Sequence, residues 1–219
     1  MKKNILIIGY GDIGKRLTDI LDSDLYNFLL VSRNNKYNSD DFIEWDWLSK
    51  KEFVHNFQKI DVVIFFPKPS RNDESGYEDG FKNSTENLNK IISKLPIDTF
   101  ISISSTRVYD KESKSLCKEI DPIDPIEFRG KLIKEYEEKQ IELYNDKLII
   151  LRFSGLYDSQ SAKMSNNHLH RENAAKIIKF FIENDFYFKS YEIFNCSEDN
   201  SNGKISNKKI KDLGFNFKE

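Results

Sequence analysis

Apolar residues in this chain fall into short unbroken runs separated by stripes of helical spacing. Residues 4–8 form the first run; it stops at Gly9, and Ile13, Leu17, Ile20 and Leu21 then recur three or four positions apart. That reads as strand, tight turn, helix. Further runs cover residues 28–31, 42–45, 62–66, 100–104 and 148–153, set off by polar, Asn-rich or proline-containing stretches. Uninterrupted apolar runs suit strands buried on both faces of a parallel sheet. Between them, Ser49 and Glu52 form a capping-box pattern ahead of Phe53, Val54 and Phe57, which predicts a helix there. Phe81, Leu88, Ile91, Ile92 and Leu95 make a second helical stripe, and Phe128, Leu132 and Tyr136 a third. This alternation predicts an α/β, Rossmann-type, doubly wound parallel sheet whose ligands lie beyond the carboxyl ends of the strands, where the strand order reverses.

Beyond Tyr157 the pattern loosens into a polar loop, a helix over 174–182, a short strand over 191–195 and a last helix. For that last helix, Ile205 and Ile210 are expected to staple around a Ser206 cap, and Gly214 stands at the stop. With no internal repeat and no Pro/Gly-rich linker, residues 1–219 read as one domain, with a core over 1–157 and a small C-terminal appended lobe over 158–219.

Charge narrows the function classes. Lys and Arg number 34 against 36 Asp and Glu, intermixed along the chain, for a net charge of -2. No basic face is implied, which argues against a nucleic-acid partner. No stretch approaches the roughly 18 apolar residues of a membrane span, and Gly9, Gly11 and Asp12 cut short the apolar start before any cleavage site, so no membrane role and a cytoplasmic location are expected. Cys117 and Cys196 are too few for a disulfide framework or a metal site, and read as reduced thiols.

Gly9, Gly11 and Gly14 form a GxGxxG motif between the first strand and the first helix. The glycines allow a tight turn and close backbone approach, and Asp12 and Ile13 open a helix whose amides and dipole favour a diphosphate. The second strand ends Ser32-Arg33 with no acid, a combination that accommodates a 2'-phosphate and favours NADP over NAD. Asp46 after the third strand is a candidate for the adenine amino group. Pro67 and Ser104, at the ends of strands four and five, complete the cofactor-binding candidates.

Three further segments carry a family resemblance. Ser104-Ser105-Thr106-Arg107-Val108-Tyr109 resembles the Ser-Ser-x-x-Val-Tyr segment of the extended and atypical short-chain dehydrogenases/reductases, the group that contains NAD(P)-dependent epimerases and dehydratases. Leu151-Arg152 with Tyr157 is similar to that group's Leu-Arg-x-x-x-x-Tyr segment, and Leu169-His170 with Glu172 and Asn173 to its Ile-His-x-Asp-Asp motif. The resemblance implies a catalytic serine at Ser105, a small-molecule substrate such as a nucleotide-sugar or other carbonyl compound, and a homodimer through the crossover helices.

One departure changes the expected chemistry. The family's proton-transfer pair, a Tyr followed four residues later by Lys, is missing; the helix reads Ile126-Glu127-Phe128-Arg129-Gly130-Lys131, so its tyrosine slot holds Glu127 or Phe128. Replacement acid–base candidates are Glu127 with Lys131, and Tyr109. His170 reads as a structural hydrogen-bonding residue ahead of a catalytic one, and Arg152 as a loop anchor ahead of a site for a substrate anion, with both alternatives open. The leading expectation is an NAD(P)-dependent epimerase or oxidoreductase with atypical catalytic residues. The rival is a non-catalytic dinucleotide-binding module that reports redox state or steadies a partner and has no substrate.

Overall fold

The computed structural model describes residues 2–49, 51–109, 115–161, 166–184 and 186–217. β1 (Lys3–Ile8), β2 (Tyr26–Ser32), β3 (Phe42–Glu44), β4 (Ile60–Phe65), β5 (Ile97–Ser105), β6 (Leu148–Phe153) and β9 (Glu192–Cys196) form one seven-stranded sheet in the order β3-β2-β1-β4-β5-β6-β9, every pair parallel. The order reverses between β1 and β4. The crevice of a doubly wound fold opens there, outside the carboxyl ends of the strands.

Period-two alternation along each strand divides the core between the two faces of the sheet. Ile5 and Ile7 of β1, Ile64 of β4 and Leu151 of β6 face one layer with α1 (Asp12–Ile20) and α5 (Arg171–Glu183). Leu6, Ile8, Val63 and Ile150 face the other with α3 (Ser84–Ile92) and α4 (Phe128–Tyr144). Ile5, Leu6, Ile7 and Ile8 are fully buried, and each such side chain contributes about 1.5–3 kcal/mol relative to exposure. A short helix α2 (Glu74–Tyr77) leads through a π-helical turn at Glu78–Asn83 into α3.

Three expectations change. The helix predicted from the Ser49/Glu52 pattern does not form: Ser49 Oγ accepts from the Lys51 N–H only two residues on, and Glu52 pairs with Lys94 instead of returning to the cap. Trp45 holds this segment irregular by donating Nε1–H to the Lys51 carbonyl at 2.7 Å and packing edge-on against Phe53. The stretch after Tyr157 returns to the body of the fold, with α5 beside α1 and β9 paired to β6. Outside the main sheet stand the two-stranded ladder of β7 (Gly155–Tyr157) and β8 (His168–His170) and the C-terminal α6 (Lys208–Asp212). The expected staple is absent, because Ile205 and Ile210 pack into different halves of the core and Asn207 takes the cap position of α6. Gly214, at φ +109°, does end that helix, with the Phe215 N–H on the Ile210 carbonyl at 3.2 Å. Among the described residues no helix is long and apolar enough to cross a membrane.

Candidate active site

The chain leaves β1 in a tight turn. Gly9 and Tyr10 both donate their N–H groups to the Val31 carbonyl, and Gly9 has φ +81°. A Cβ on Gly9 would run into the carbonyl oxygen of Phe66, so β1 and β4 meet here backbone to backbone. Gly14 lets α1 close on its strand, since a Cβ there would lie 2.8 Å from the Tyr10 ring. Gly11 is different. Its nearest neighbour would be the Gly9 carbonyl oxygen at 3.6 Å, so nothing in the protein forbids a side chain. Gly11 is also the N-cap of α1 and provides no side-chain cap, which leaves the first amides of the helix, including those of Asp12 and Ile13, open to an anion. Open space over uncapped amides is what a dinucleotide diphosphate requires, and the residues present fit one.

Asp12 places a negative charge at this helix end, and two guanidiniums offset it. Arg16 Nε lies 3.2 Å from its carboxylate and the Arg171 guanidinium 3.1 Å, while Arg171 also faces Asp158 at 3.3 Å. At the end of β2, Ser32 is half-buried, and Arg33 is exposed with its guanidinium 6.0 Å from the centre of the Trp47 ring. Asp46 is exposed, and one of its carboxylate oxygens accepts from the Leu48 N–H in its own turn at 3.0 Å.

Next to the glycine turn lies a cleft of about 660 Å³ at the carboxyl ends of β4, β5 and β6. Pro67, one residue beyond the Phe66 that meets Gly9, forms part of its wall together with Ser104, Ser105, Arg107, Tyr109 and Ser154. Ser105 Oγ accepts from the Arg107 N–H at 3.3 Å across the short 3₁₀ turn Thr106–Val108, which leaves the Ser105 hydroxyl proton free to donate into the cleft. Ser104 is committed elsewhere, donating to Glu137 at 2.5 Å.

The candidate acid–base groups separate. Tyr109 lines the cleft, but its hydroxyl accepts from Arg152 at 2.7 Å and lies 3.0 Å from both Asn195 Oδ1 and the Lys118 carbonyl. Burial pushes its phenol above the ordinary tyrosine value, even against the neighbouring Arg152 charge. Glu127 and Lys131 are exposed at the start of α4 and are not in the cleft wall. The two tyrosines of α4 are unsuited too: Tyr136 bonds Ser102 and Tyr144 bonds Asn89, and burial raises both. His170 caps α5, its Nδ1 accepting from the Glu172 N–H at 3.2 Å, and Arg152 is locked to Glu137. Among the described residues, no group of three or more His, Cys, Asp or Glu could hold a metal ion.

Sequence reasoning missed Glu137, Asn195 and the recognition role open to Arg107. Glu137 lies among Lys134, Glu135, Glu138 and Lys139, so nothing in its neighbourhood marks it as buried. Its spacing from Ile133, Gln140 and Tyr144 is the signal that places it on the inward stripe of α4.

Residues 5–177 match the model of a family described as the NAD dependent epimerase/dehydratase family. No curated protein matches the chain. Among solved structures, a Methylobacillus flagellatus protein provisionally assigned as an NAD-dependent epimerase/dehydratase is 17% identical, with a TM-score of 0.76 over 99% of this chain and 93% of that one. A mutated uronate dehydrogenase is 16% identical, with a TM-score of 0.75 over 98% and 81%. UDP-glucuronic acid 4-epimerase from Bacillus cereus, solved in complex with NAD, is 16% identical with a TM-score of 0.69 over 90% and 78%. Likeness at these identities speaks for the fold alone, whereas the family match runs from β1 through the glycine turn and Ser105 into the first half of α5. The chain belongs to the NAD-dependent epimerase/dehydratase family.

Proposed function

We propose that this protein binds NAD(P) along the β1–α1 turn and acts on a small hydroxyl- or carbonyl-bearing substrate of the sugar type held in the adjoining cleft. The observation that carries this reading is the junction at Phe66 and Pro67. Phe66 meets the glycine turn and Pro67 walls the cleft that contains Ser105, so a dinucleotide laid over Gly11 has its reactive end directed toward that serine. Bound nicotinamide supplies the hydride chemistry. Ser105 donates a hydrogen bond to the substrate oxygen, and Asp12, neutralised by Arg16 and Arg171, does not repel the diphosphate. Arg33 and Ser32 favour NADP over NAD, because a guanidinium with an adjacent hydroxyl suits a 2'-phosphate.

Proton transfer sets the rate. A positioned acid or base contributes about 10²- to 10⁴-fold, and among the described residues the cleft wall contains no carboxylate, no phenol other than the engaged Tyr109 and no lysine other than Lys204. Turnover of ordinary carbonyl substrates is therefore slow, and Tyr109 acts as a positioned wall residue. The missing phenol and lysine pair also favours a second reading, a dinucleotide-binding module without turnover.

The experiment is calorimetric titration with NADPH and NADH, followed by a metabolite screen read by NADPH oxidation and by mass spectrometry for internally recycled epimerisation. Binding with turnover that Ser105→Ala abolishes supports the enzyme. Binding with no turnover favours the module, and no binding of either dinucleotide below millimolar concentration overturns both.

A further inference from the structure

The charge of the cleft says more about its substrate than its shape does. Among the described residues its wall contains no carboxylate; its charged members are Arg107 and Lys204, beside the hydroxyls of Ser105, Thr106 and Ser154. Arg107 stands apart from the other arginines. Arg16, Arg71, Arg152 and Arg171 each pair with an Asp or Glu, and Arg33 and Arg129 lie against aromatic rings. Arg107 has neither kind of partner among the described residues, is exposed, and has only its backbone N–H engaged, by Ser105. A guanidinium held at the wall of a cleft without a counter-charge is a ready partner for an anionic ligand, and its forked donors match the two oxygens of a carboxylate.

Its place in the chain limits where that anion lies. Arg107 follows Ser105 by two residues, across the start of the 3₁₀ turn, and both line the same cleft, so the anion belongs to the end of the substrate whose oxygen Ser105 holds. Size points the same way. Pockets of roughly 300–1,000 Å³ enclose one drug-sized ligand, and this cleft of 660 Å³ must also admit the nicotinamide end of the cofactor. A nucleotide diphosphate would need further room and an anion site remote from the reacting carbon.

We infer that the cleft selects a small carboxylate-bearing substrate, a sugar acid in preference to a neutral or nucleotide-linked sugar, with Arg107 as the residue that recognises the carboxylate. This rests on the reading of the Ser105 cleft as the substrate site. The test uses the full chain, first titrated with NADPH and NADH, since failure at that stage removes the dinucleotide reading itself. The loaded protein is then titrated with D-glucuronate and D-galacturonate, with D-glucose and D-galactose, and with UDP-glucose.

At least one uronate is expected to bind about tenfold or more tightly than its neutral counterpart, the margin of a charge-assisted hydrogen bond. Arg107→Gln should erase that margin without altering dinucleotide affinity, and Arg107→Lys should retain part of it. Arg107 is exposed, so circular dichroism of both variants should be unchanged. With the dinucleotide bound, the inference is overturned if neither uronate binds at millimolar concentration, if neutral sugars or UDP-glucose bind as tightly, or if the preference survives Arg107→Gln.

Discussion

Glu137 on α4 and Arg152 on β6 form a bidentate ion pair in the interior, with Nε–Oε1 at 2.9 Å and the guanidinium NH2 to Oε2 at 2.6 Å, and each side chain is at most 3% exposed. Burial acts to lower the Arg152 pKa, but the hydrogen bonds and charge of Glu137 reverse this, so the net shift is upward. Glu137→Gln should cost about 3–5 kcal/mol, because it leaves the guanidinium buried without its counter-charge. The paired change Glu137→Leu with Arg152→Met should cost less than the sum of the two single changes. Urea unfolding of the parent protein and the four variants measures both, and additive losses would mean that the two residues are not energetically coupled.

The glycine turn separates stability from binding. Gly9→Ala meets the Phe66 carbonyl and holds a side chain at positive φ, so it should lower unfolding stability by about 1–3 kcal/mol. Gly11→Val meets no steric block and should cost only the exchange of a good N-cap for a poor one, about 1 kcal/mol, yet weaken NADPH by about tenfold or more, since the side chain takes the diphosphate position. Equal NADPH affinity in Gly11→Val and the parent protein would remove the diphosphate from this turn.

Cofactor choice follows from Arg33. Arg33→Ala should weaken NADPH by about tenfold, the margin of a lost charge-assisted contact, and leave NADH nearly unchanged. Parallel losses in the two titrations would show that Arg33 does not read the 2'-phosphate.

Alkaline pH reports on the junction of β7 and α5. Tyr157 donates to Glu198 at 2.7 Å, and Glu198 also accepts from the His170 N–H and Asn173. Burial and the Glu198 carboxylate raise the Tyr157 pKa from 10.0 to about 12. A raised folded-state value means that the proton is held more tightly in the native protein. The resulting stabilisation is complete below pH 10 and is lost as the pH rises through 12. Tyr157→Phe should flatten that part of the stability profile; parallel profiles for the two proteins would show that another group titrates there.

Legibility in the sequence followed how local the cause was. The runs that became β1, β4, β5 and β6 read correctly because burial on both faces leaves no polar position to confuse the pattern. The glycines and Ser105 read as contiguous motifs. The Ser49/Glu52 capping pattern misled because the Trp45–Phe53 packing outweighs a local cap. β9 read as a short strand but not as part of the main sheet, since its place depends on pairing with β6, far back in the chain. The Glu137–Arg152 pair was hidden for the same reason: each residue has its partner on another element, and α4 is rich in charge throughout.

The late position of β9 in the chain also bears on the sheet edge. Until residues 192–196 dock, β6 is the open edge of a parallel sheet, and its six residues, all buried in the finished protein, expose unpaired backbone groups between two apolar faces. That is the profile of a strand that recruits other chains. α1 depends on the same late segment, because α5 completes the layer it packs in and Arg171 helps to neutralise the Asp12 at its start. A chain halted after Tyr157 would thus hold its glycine turn and Ser105 while leaving β6 as an unpaired edge, so the final quarter of the polypeptide seals a strand that the first three quarters leave open.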